Sequence, residues 1–323
     1  MNEYKHMKKY IPCFAPTVPL RFKWPQICKQ TQQITGMRNL AVLPFLLLCF
    51  VSSAQVRVGV FGGIGNYQGD LINNIYVGKL TRPAVGITGS YDVTDRLTLR
   101  AGFTYAQVAG NDRYNTKDDL RLRNISFESD ILELSLVGEF YTFSFENKNW
   151  SPYVFGGLAA YHFNPYILTT DEEKIFLKPL STEGQGLEGY ANKPYSLTQF
   201  ALPFGAGIKY DINENVRIGV EVGLRKLFTD HLDDISTNYA DQNDLITQRG
   251  ELAAAVAYRG DEVAGGNPNY PAKGAQRGSD AYKDWYYLSG LTLSFQLGNG
   301  PLFNKGGGNR RIRSGYGCPK VPL

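Results

Sequence analysis

Nine consecutive residues decide the fold of this chain: Val216-Arg217-Ile218-Gly219-Val220-Glu221-Val222-Gly223-Leu224. Apolar side chains alternate there with polar or small ones, which is the pattern of a β-strand whose two faces meet different surroundings. The same alternation recurs at 97–105, 132–140 and 291–297. Four weaker segments fit it at 56–66, 84–92, 153–163 and 200–212. The sequence therefore predicts eight β-strands, most of them about 9–15 residues long.

The links between these strands alternate in length, and this alternation predicts the architecture. Three links are short, at 93–96, 146–150 and 213–215, whereas the other four span about 17, 20, 35 and more than 50 residues. Transmembrane barrels have tight periplasmic turns and long outer loops, and their strands need roughly 9–11 residues to cross a bilayer. We therefore predict an all-β fold, an eight-stranded antiparallel transmembrane up-and-down β-barrel with short periplasmic turns and long extracellular loops.

Charged residues in the predicted strands fall on the face opposite the aliphatic one. Because a charge facing lipid is costly, these side chains are expected to point into the barrel and pair across it. An eight-stranded barrel is just wide enough for side chains to fill, so the interior should be plugged and not a pore. The predicted interior polar network consists of Arg57, Arg100, Glu133, Glu139, Lys209, Arg217 and Glu221.

Aromatic residues cluster near the ends of the predicted strands. Such positions suit the two girdles of aromatic side chains that transmembrane barrels place at the membrane interfaces. One girdle is expected to include Phe140, Tyr141, Phe143, Phe145, Trp150 and Tyr153, and the other Trp285, Tyr286 and Tyr287.

The first 54 residues are predicted to be removed. Residues 37–54 have the form of a secretory signal peptide, with Arg38, an apolar stretch at 40–51 and the small residues Ser52-Ser53-Ala54. Residues 1–36 are interpreted as an over-extended start or a non-structural leader, with a genuine targeting segment as the alternative. The barrel then occupies 55–299 and is followed by a basic periplasmic tail at 300–323.

Loss of the leader also changes the charge. The whole chain has a net charge of +4, but the part after residue 54 holds 27 basic and 29 acidic residues, a net charge of −2. The basic character belongs to the leader, so a nucleic-acid partner is not expected. The exported barrel is predicted to reside in the lipid of the outer membrane.

Few residues after position 54 offer catalytic or metal-binding chemistry. No catalytic residue, cofactor or small-molecule substrate is predicted, although a rim hydrolase that uses His231 and nearby aspartates is a minor alternative. Asp230, Asp233 and Asp234 are candidate calcium ligands because they supply hard oxygen atoms. They lack the spacing and the glycine of an EF-hand loop, and a hydrogen-bonded rim is the competing interpretation.

Two segments remain open to interpretation. The glycine-rich stretch 62–70 lacks the third glycine of a dinucleotide-binding loop, and it is expected to end the first strand in a tight turn set by Asn66, Gly69 and Asp70. The last long link, 229–284, contains 10 acidic and 5 basic residues and no periodicity. A partner-binding loop and a disordered, solvated insertion fit that link equally well.

Several of these motifs resemble a known family. They are the segment 58–61 running into Gly65-Asn66-Tyr67-Gln68-Gly69-Asp70-Leu71, Leu132-Glu133-Leu134-Ser135, the segments 151–157 and 228–236, Asp284-Trp285-Tyr286-Tyr287, and Cys318-Pro319 near the end. Together they resemble the Bacteroidetes outer-membrane barrels typified by PorG, a component of type IX secretion.

The resemblance implies a non-catalytic barrel that contacts periplasmic secretion-ring proteins through its turns and tail. The alternative hypothesis is a stand-alone surface barrel that acts in adhesion or envelope integrity through its long outer loops.

Overall fold

The computed structural model describes residues 56–297, apart from 73, 75, 170 and 282. The predicted leader, signal peptide and basic tail lie outside the described residues, as do all four cysteines.

Eight long β-strands and one short strand cover most of the described residues. They are β1 (Val56–Gln68), β2 (Arg82–Thr94), β3 (Leu97–Asn111), β4 (Ser126–Tyr141), β5 (Trp150–Leu168), β6 (Lys174–Phe176), β7 (Thr198–Asp211), β8 (Val216–Leu227) and β9 (Trp285–Leu297). Three short α-helices lie in the long links: α1 (Asp118–Arg123), α2 (Gln242–Arg249) and α3 (Glu251–Ala257). Among the described helices, none has the length and apolar character needed to cross a membrane.

The eight long strands close into a barrel. Each pairs in antiparallel fashion with its neighbours in the order β1-β2-β3-β4-β5-β7-β8-β9. The barrel closes where β9 pairs with β1 along its full length, from Val56 opposite Leu297 to Gln68 opposite Trp285. The three-residue strand β6 pairs only with the end of β5. The predicted eight-stranded antiparallel up-and-down barrel is therefore confirmed.

The strands at the long-link end extend further than the sequence predicted. β5 reaches Leu168 because it pairs with β4 as far as Tyr166 and with β6 beyond that point. β1 continues to Gln68 because its last residues pair with the start of β9. The first strand therefore ends two residues beyond the predicted end at Asn66, and Tyr67 and Gln68 are also strand residues.

The barrel has the reverse of the burial pattern of a water-soluble protein. Large apolar side chains cover its outer wall, including Leu134, Val220 and Leu291, which are 62%, 57% and 64% exposed. The charged side chains of Glu133 and Glu139 lie inside and are 1% and 0% exposed. A continuous apolar outer wall of this size requires apolar surroundings. The alternation along each strand places this wall on the side opposite the polar interior.

The four long links, at 69–81, 112–125, 169–197 and 228–284, meet at one end of the barrel, which we call the outer end. They pack into an outer cap. One apolar cluster joins the outer interior of the barrel to all four links, with Leu71, Ile125, Leu177, Leu232 and Ile235 among the link residues. A second cluster packs α2 and α3 against Leu187. The last link is thus a packed element, and its interpretation as a disordered insertion was wrong.

Candidate functional site

A layer of four charged side chains fills the middle of the barrel. Arg100 on β3 donates to Glu221 on β8, with an Nη1–Oε2 distance of 2.7 Å, and its Nε lies 3.0 Å from Oε1 of Glu139 on β4. Lys209 on β7 contacts the other oxygen of Glu139 at 2.6 Å. The hydroxyl of Tyr153 donates to Glu221 at 2.6 Å. Two cations and two anions thus form one neutral network that links four strands.

A second ion pair lies above this layer, toward the outer end. Two nitrogens of the Arg225 guanidinium group, Nε and Nη2, donate to Glu133 at 3.0 and 3.2 Å. Tyr286 donates to the same carboxylate at 2.6 Å. Such two-pronged pairing adds geometric specificity to the charge interaction.

Two more pairs lie at the opposite end, near the short turns. Arg217 donates to Asp211 through Nε at 2.5 Å and through Nη2 at 3.0 Å. Nε of Arg57 lies 3.6 Å from Asp92, and its Nη2 donates to Gln296 at 3.1 Å. The ion pairs therefore extend along the interior of the barrel.

The interior is closed to water at these layers. All seven side chains of the predicted interior network lie inside, and none is more than 8% exposed. Side chains that lined a water-filled channel would be accessible to solvent, so these layers act as a plug. What the barrel does must then depend on its two ends and its outer wall.

The sequence did not identify every member of the network. Arg225 has the same inward parity as Arg217 and Glu221, so continuing the alternation by one step would have found it. Asp92 and Asp211 lie at strand ends, where the alternation gives a weaker signal.

Part of the predicted aromatic girdle was wrong. Tyr141, Tyr153 and Tyr286 point into the barrel, are at most 2% exposed and donate hydrogen bonds to interior carboxylates. Phe140 and Trp150, in contrast, lie on the outer wall and are 54% and 44% exposed. The assignment failed because consecutive residues at a strand end point to opposite sides of the wall.

The motif from Gly65 to Asp70 anchors the outer cap to the barrel. The hydroxyl of Tyr67 lies 2.5 Å from Asp233 and 3.1 Å from Asp284, both in the last link. A Cβ atom at Gly69 would lie 2.0 Å from the Tyr67 hydroxyl, so only glycine fits beside this contact. Asp70 accepts a hydrogen bond from the backbone N–H of Ser279 at 2.8 Å. The side chain of Asn66 accepts one from Thr81 at 2.9 Å.

The three candidate calcium ligands face different partners. Asp230 accepts a hydrogen bond from the Ser236 hydroxyl at 3.0 Å, whereas Asp233 faces Tyr67. Asp234 accepts from Thr182 at 2.5 Å and from Tyr195 at 2.7 Å. Within the described residues, no group of three or more His, Cys, Asp or Glu side chains is arranged to hold a metal ion. The geometry matches the competing interpretation, a hydrogen-bonded rim.

The buried aspartates of the cap favour their protonated forms. Burial, reinforced by the neighbouring Asp284 carboxylate, raises the pKa of Asp233 well above its usual value. Burial and the nearby Asp230 do the same to the pKa of Asp284. Burial also raises the pKa of Asp230 to about 7 and that of Asp234 to about 6. A carboxyl group that is buried among other carboxyl groups is more stable when neutral.

A buried ion pair fastens the last link to the preceding one. Arg277 contacts Glu183 at 3.0 Å, and the same nitrogen donates to the backbone oxygen of Asp234 at 2.6 Å. Glu183 also accepts from the backbone N–H groups of Ser236 and Thr237, both at 2.9 Å. The 169–197 link and the 228–284 link are therefore held as one unit.

His231 has a packing role in this unit. Its ring stacks on Tyr195 with a centroid distance of 4.7 Å, and burial lowers its pKa. No hydrogen-bond partner for its buried Nδ1 occurs among the described residues.

The closed antiparallel barrel, the apolar outer wall and the ion-paired interior define a transmembrane β-barrel. The chain belongs to the family described as Domain of unknown function (DUF6089), whose profile matches residues 37–258. No curated protein sequence matches this chain.

Several solved structures are similar in fold. Neisserial surface protein A (NspA) is 8% identical with a TM-score of 0.38, and the match covers 76% of this chain and 100% of that one. The outer membrane protein OprG from Pseudomonas aeruginosa is 12% identical with a TM-score of 0.36, covering 76% and 98%. The outer membrane enzyme PagL is 12% identical with a TM-score of 0.29, covering 74% and 99%. At this identity, the likeness concerns architecture and says nothing of activity.

Proposed function

We propose that the protein is a non-catalytic barrel of the outer membrane with a structural or assembly role. The observation that carries this proposal is the ion-paired interior, where Arg100 and Glu221 join opposite walls and are both at most 8% exposed. A barrel whose interior is filled by buried side chains acts through the surfaces it presents on either side of the membrane.

The assembly in which it takes part is type IX protein secretion. This assignment is supported by the resemblance of the sequence motifs to the Bacteroidetes barrels typified by PorG. The partners would be periplasmic secretion-ring proteins, which bind at the short-turn end. The turn at 142–149 is suited to such a contact, because Glu146, Asn147 and Lys148 are exposed there.

A deletion strain tests the assignment. Loss of the protein should block the export of cargo that carries type IX signals, and a plasmid copy should restore it. Normal export in the deletion strain would contradict the assignment.

Two matched insertions locate the docking surface. An eight-residue tag inserted between Glu146 and Asn147 should prevent rescue, whereas the same tag between Pro268 and Asn269 in the outer cap should permit it. Both proteins must first reach the outer membrane as folded barrels, which heat-dependent mobility on a denaturing gel reports. Purification of the tagged barrel should recover secretion-ring proteins with the cap insertion and lose them with the turn insertion.

A stand-alone surface role is the second candidate, and the packed outer cap favours it. Because α2, α3 and the 169–197 link form one packed unit, the cap offers a defined surface and not a set of mobile loops. Under this alternative, the cap insertion would abolish surface adhesion while export stayed normal.

A further inference from the structure

A cleft of about 920 Å³ opens in the outer cap, away from the ion pairs of the barrel. Helix α1 and the residues next to it form one wall, and parts of the last link form the other wall and the floor. The lining includes Lys117, Leu122, Tyr239, Tyr258, Gln276 and Ser279. Its volume falls within the range of roughly 300–1,000 Å³ that is usual for small-molecule sites.

Hydrogen bonds hold the two walls in place without a ligand. Arg123, at the end of α1, donates two hydrogen bonds of 2.7 Å to Asp112 and another to the backbone oxygen of Arg277 in the floor. The side chain of Asn124 donates to the backbone oxygen of Arg259 in the last link at 3.1 Å. The cleft is therefore preformed, which reduces the ordering cost of binding.

Two glycines form part of the cleft wall beside Leu122 of α1. Gly265 has a φ of +87°, and a Cβ atom there would lie 3.9 Å from the side chain of Leu122, so the two residues are close neighbours. A Cβ atom at Gly266 would lie 2.0 Å from the backbone oxygen of Gly260. Both positions disfavour larger residues, so the wall facing Leu122 consists of bare backbone.

The two arginines that line the cleft are already compensated, since Arg123 is paired with Asp112 and Arg277 with Glu183. Asp70, which also lines the cleft, accepts a hydrogen bond from the backbone N–H of Ser279. The two exposed charges at the entrance, Lys117 and Asp119, have opposite signs. A strongly charged ligand would lose its hydration without gaining an unpaired counter-charge.

The remaining lining groups are neutral and amphipathic. The amides of Asn267 and Gln276 can both donate and accept, and the Ser279 hydroxyl can do the same. Tyr239 and Tyr258 meet edge to face at 6.0 Å, and with Leu122 they supply apolar surface. Both kinds of group are therefore available to one ligand.

We propose that this cleft binds a neutral glycan of two or three sugar units. A sugar ring offers a donor and an acceptor at each hydroxyl and an apolar face of C–H groups, which matches amide and hydroxyl groups beside tyrosine rings. A peptide fits less well, because extended peptides bind along a free strand edge and the cleft is lined by a helix and loops. This inference goes beyond the assembly role and does not rest on it.

Titration of the full-length protein with defined sugars tests the proposal. The protein is purified in lauryldimethylamine oxide, because a detergent with a sugar headgroup would compete for the site. Maltose, cellobiose, lactose and chitobiose are titrated by calorimetry, with tetra-alanine and sucrose octasulfate as the peptide and polyanion probes. At least one neutral disaccharide should bind saturably and more tightly than either comparison probe.

A blocking substitution and its matched control place the binding in the cleft. Leu122→Trp enlarges a side chain that lines the cleft and should weaken binding by at least about tenfold. Leu252→Trp makes the same change on an exposed face of α3 outside the cleft and should leave binding unchanged. Gln276→Ala removes one of the neutral amides that line the cleft, at an exposed position, and should also weaken binding.

Three outcomes would overturn the proposal. They are no saturable binding of any of the four sugars, equal binding by the Leu122→Trp and Leu252→Trp proteins, and tighter binding of tetra-alanine or sucrose octasulfate than of every neutral sugar. Gel mobility of unheated samples shows that each variant barrel is folded.

Discussion

Arg100 on β3 and Glu221 on β8 form an ion pair of 2.7 Å although their strands lie on opposite sides of the barrel, four strands apart in either direction. The two residues are 121 positions apart in the chain. Each also contacts a second partner, Glu139 for Arg100 and Tyr153 for Glu221. The pair therefore connects opposite sides of the closed barrel.

Removing one charge from the middle layer should destabilise the barrel. Glu221→Gln keeps the shape of the side chain but leaves an excess positive charge inside, and should lower the free energy of unfolding by about 3–5 kcal/mol. Urea unfolding in lipid vesicles, followed by tryptophan fluorescence, measures the change. Glu146→Gln, on the exposed short turn, is the control and should have no effect. A decrease in the free energy of unfolding of less than about 1 kcal/mol for Glu221→Gln would show that the ion pair contributes little to stability.

The apolar outer wall predicts a strong penalty for charge. Leu134→Arg places a guanidinium group in the middle of that wall and should destabilise the folded barrel by about 2–4 kcal/mol in vesicles. Leu252→Arg, at an equally accessible leucine of the cap, should change stability by less than about 0.5 kcal/mol. Equal effects of the two substitutions would mean that Leu134 does not face lipid.

The Tyr67 hydroxyl should stabilise the cap and not the barrel. Tyr67→Phe leaves the carboxyl groups of Asp233 and Asp284 without this donor, at an expected cost of about 1–3 kcal/mol. Hydrogen exchange should show faster opening of residues 228–284 with little change in β2 and β3. Tyr161→Phe is the matched control, because the buried hydroxyl of Tyr161 has no hydrogen-bond partner among the described residues. Equal exchange in the two variants would contradict the anchoring role.

Stability of the cap should fall as the pH rises. Asp230 has a pKa of about 7 when folded, above its usual value of 3.8, so the folded cap binds more protons than the unfolded chain between these values. Its stabilising effect is complete below pH 3.8 and is lost as the pH rises toward 7. Proteolysis of the cap should therefore be faster at pH 8 than at pH 5.5.

A substitution tests how much of this pH dependence is due to Asp230 and how much to the other buried carboxyl groups. Asp230→Asn resembles the protonated form and should reduce the fall in stability as the pH rises toward 7, whereas Asp261→Asn, at an exposed position of the cap, should preserve it. An unchanged pH profile in Asp230→Asn would exclude Asp230 as the titrating group.

The sequence alone determined which strand residues face outward and which face into the barrel. Alternation at 216–224 is a local property with a period of two, so it places Val220 outside and Glu221 inside whatever the distant strands do. The sorting of the links by length is also visible without a structure, and together these features predicted an eight-stranded barrel with charged residues inside.

Only the tertiary structure decided which inward residues meet. The partner of Arg100 depends on the closure and stagger of eight strands, which no local pattern records. The sidedness of Tyr141 and Tyr286, in contrast, follows from the alternation, because Tyr141 has the parity of Glu139 and Tyr286 the parity opposite to that of Leu291. The cap shows the same limit: Asp233 and Asp284 are 51 residues apart and meet at Tyr67 only because four links pack together. Side-chain contacts between remote segments are set by packing, and packing is a property of the whole fold.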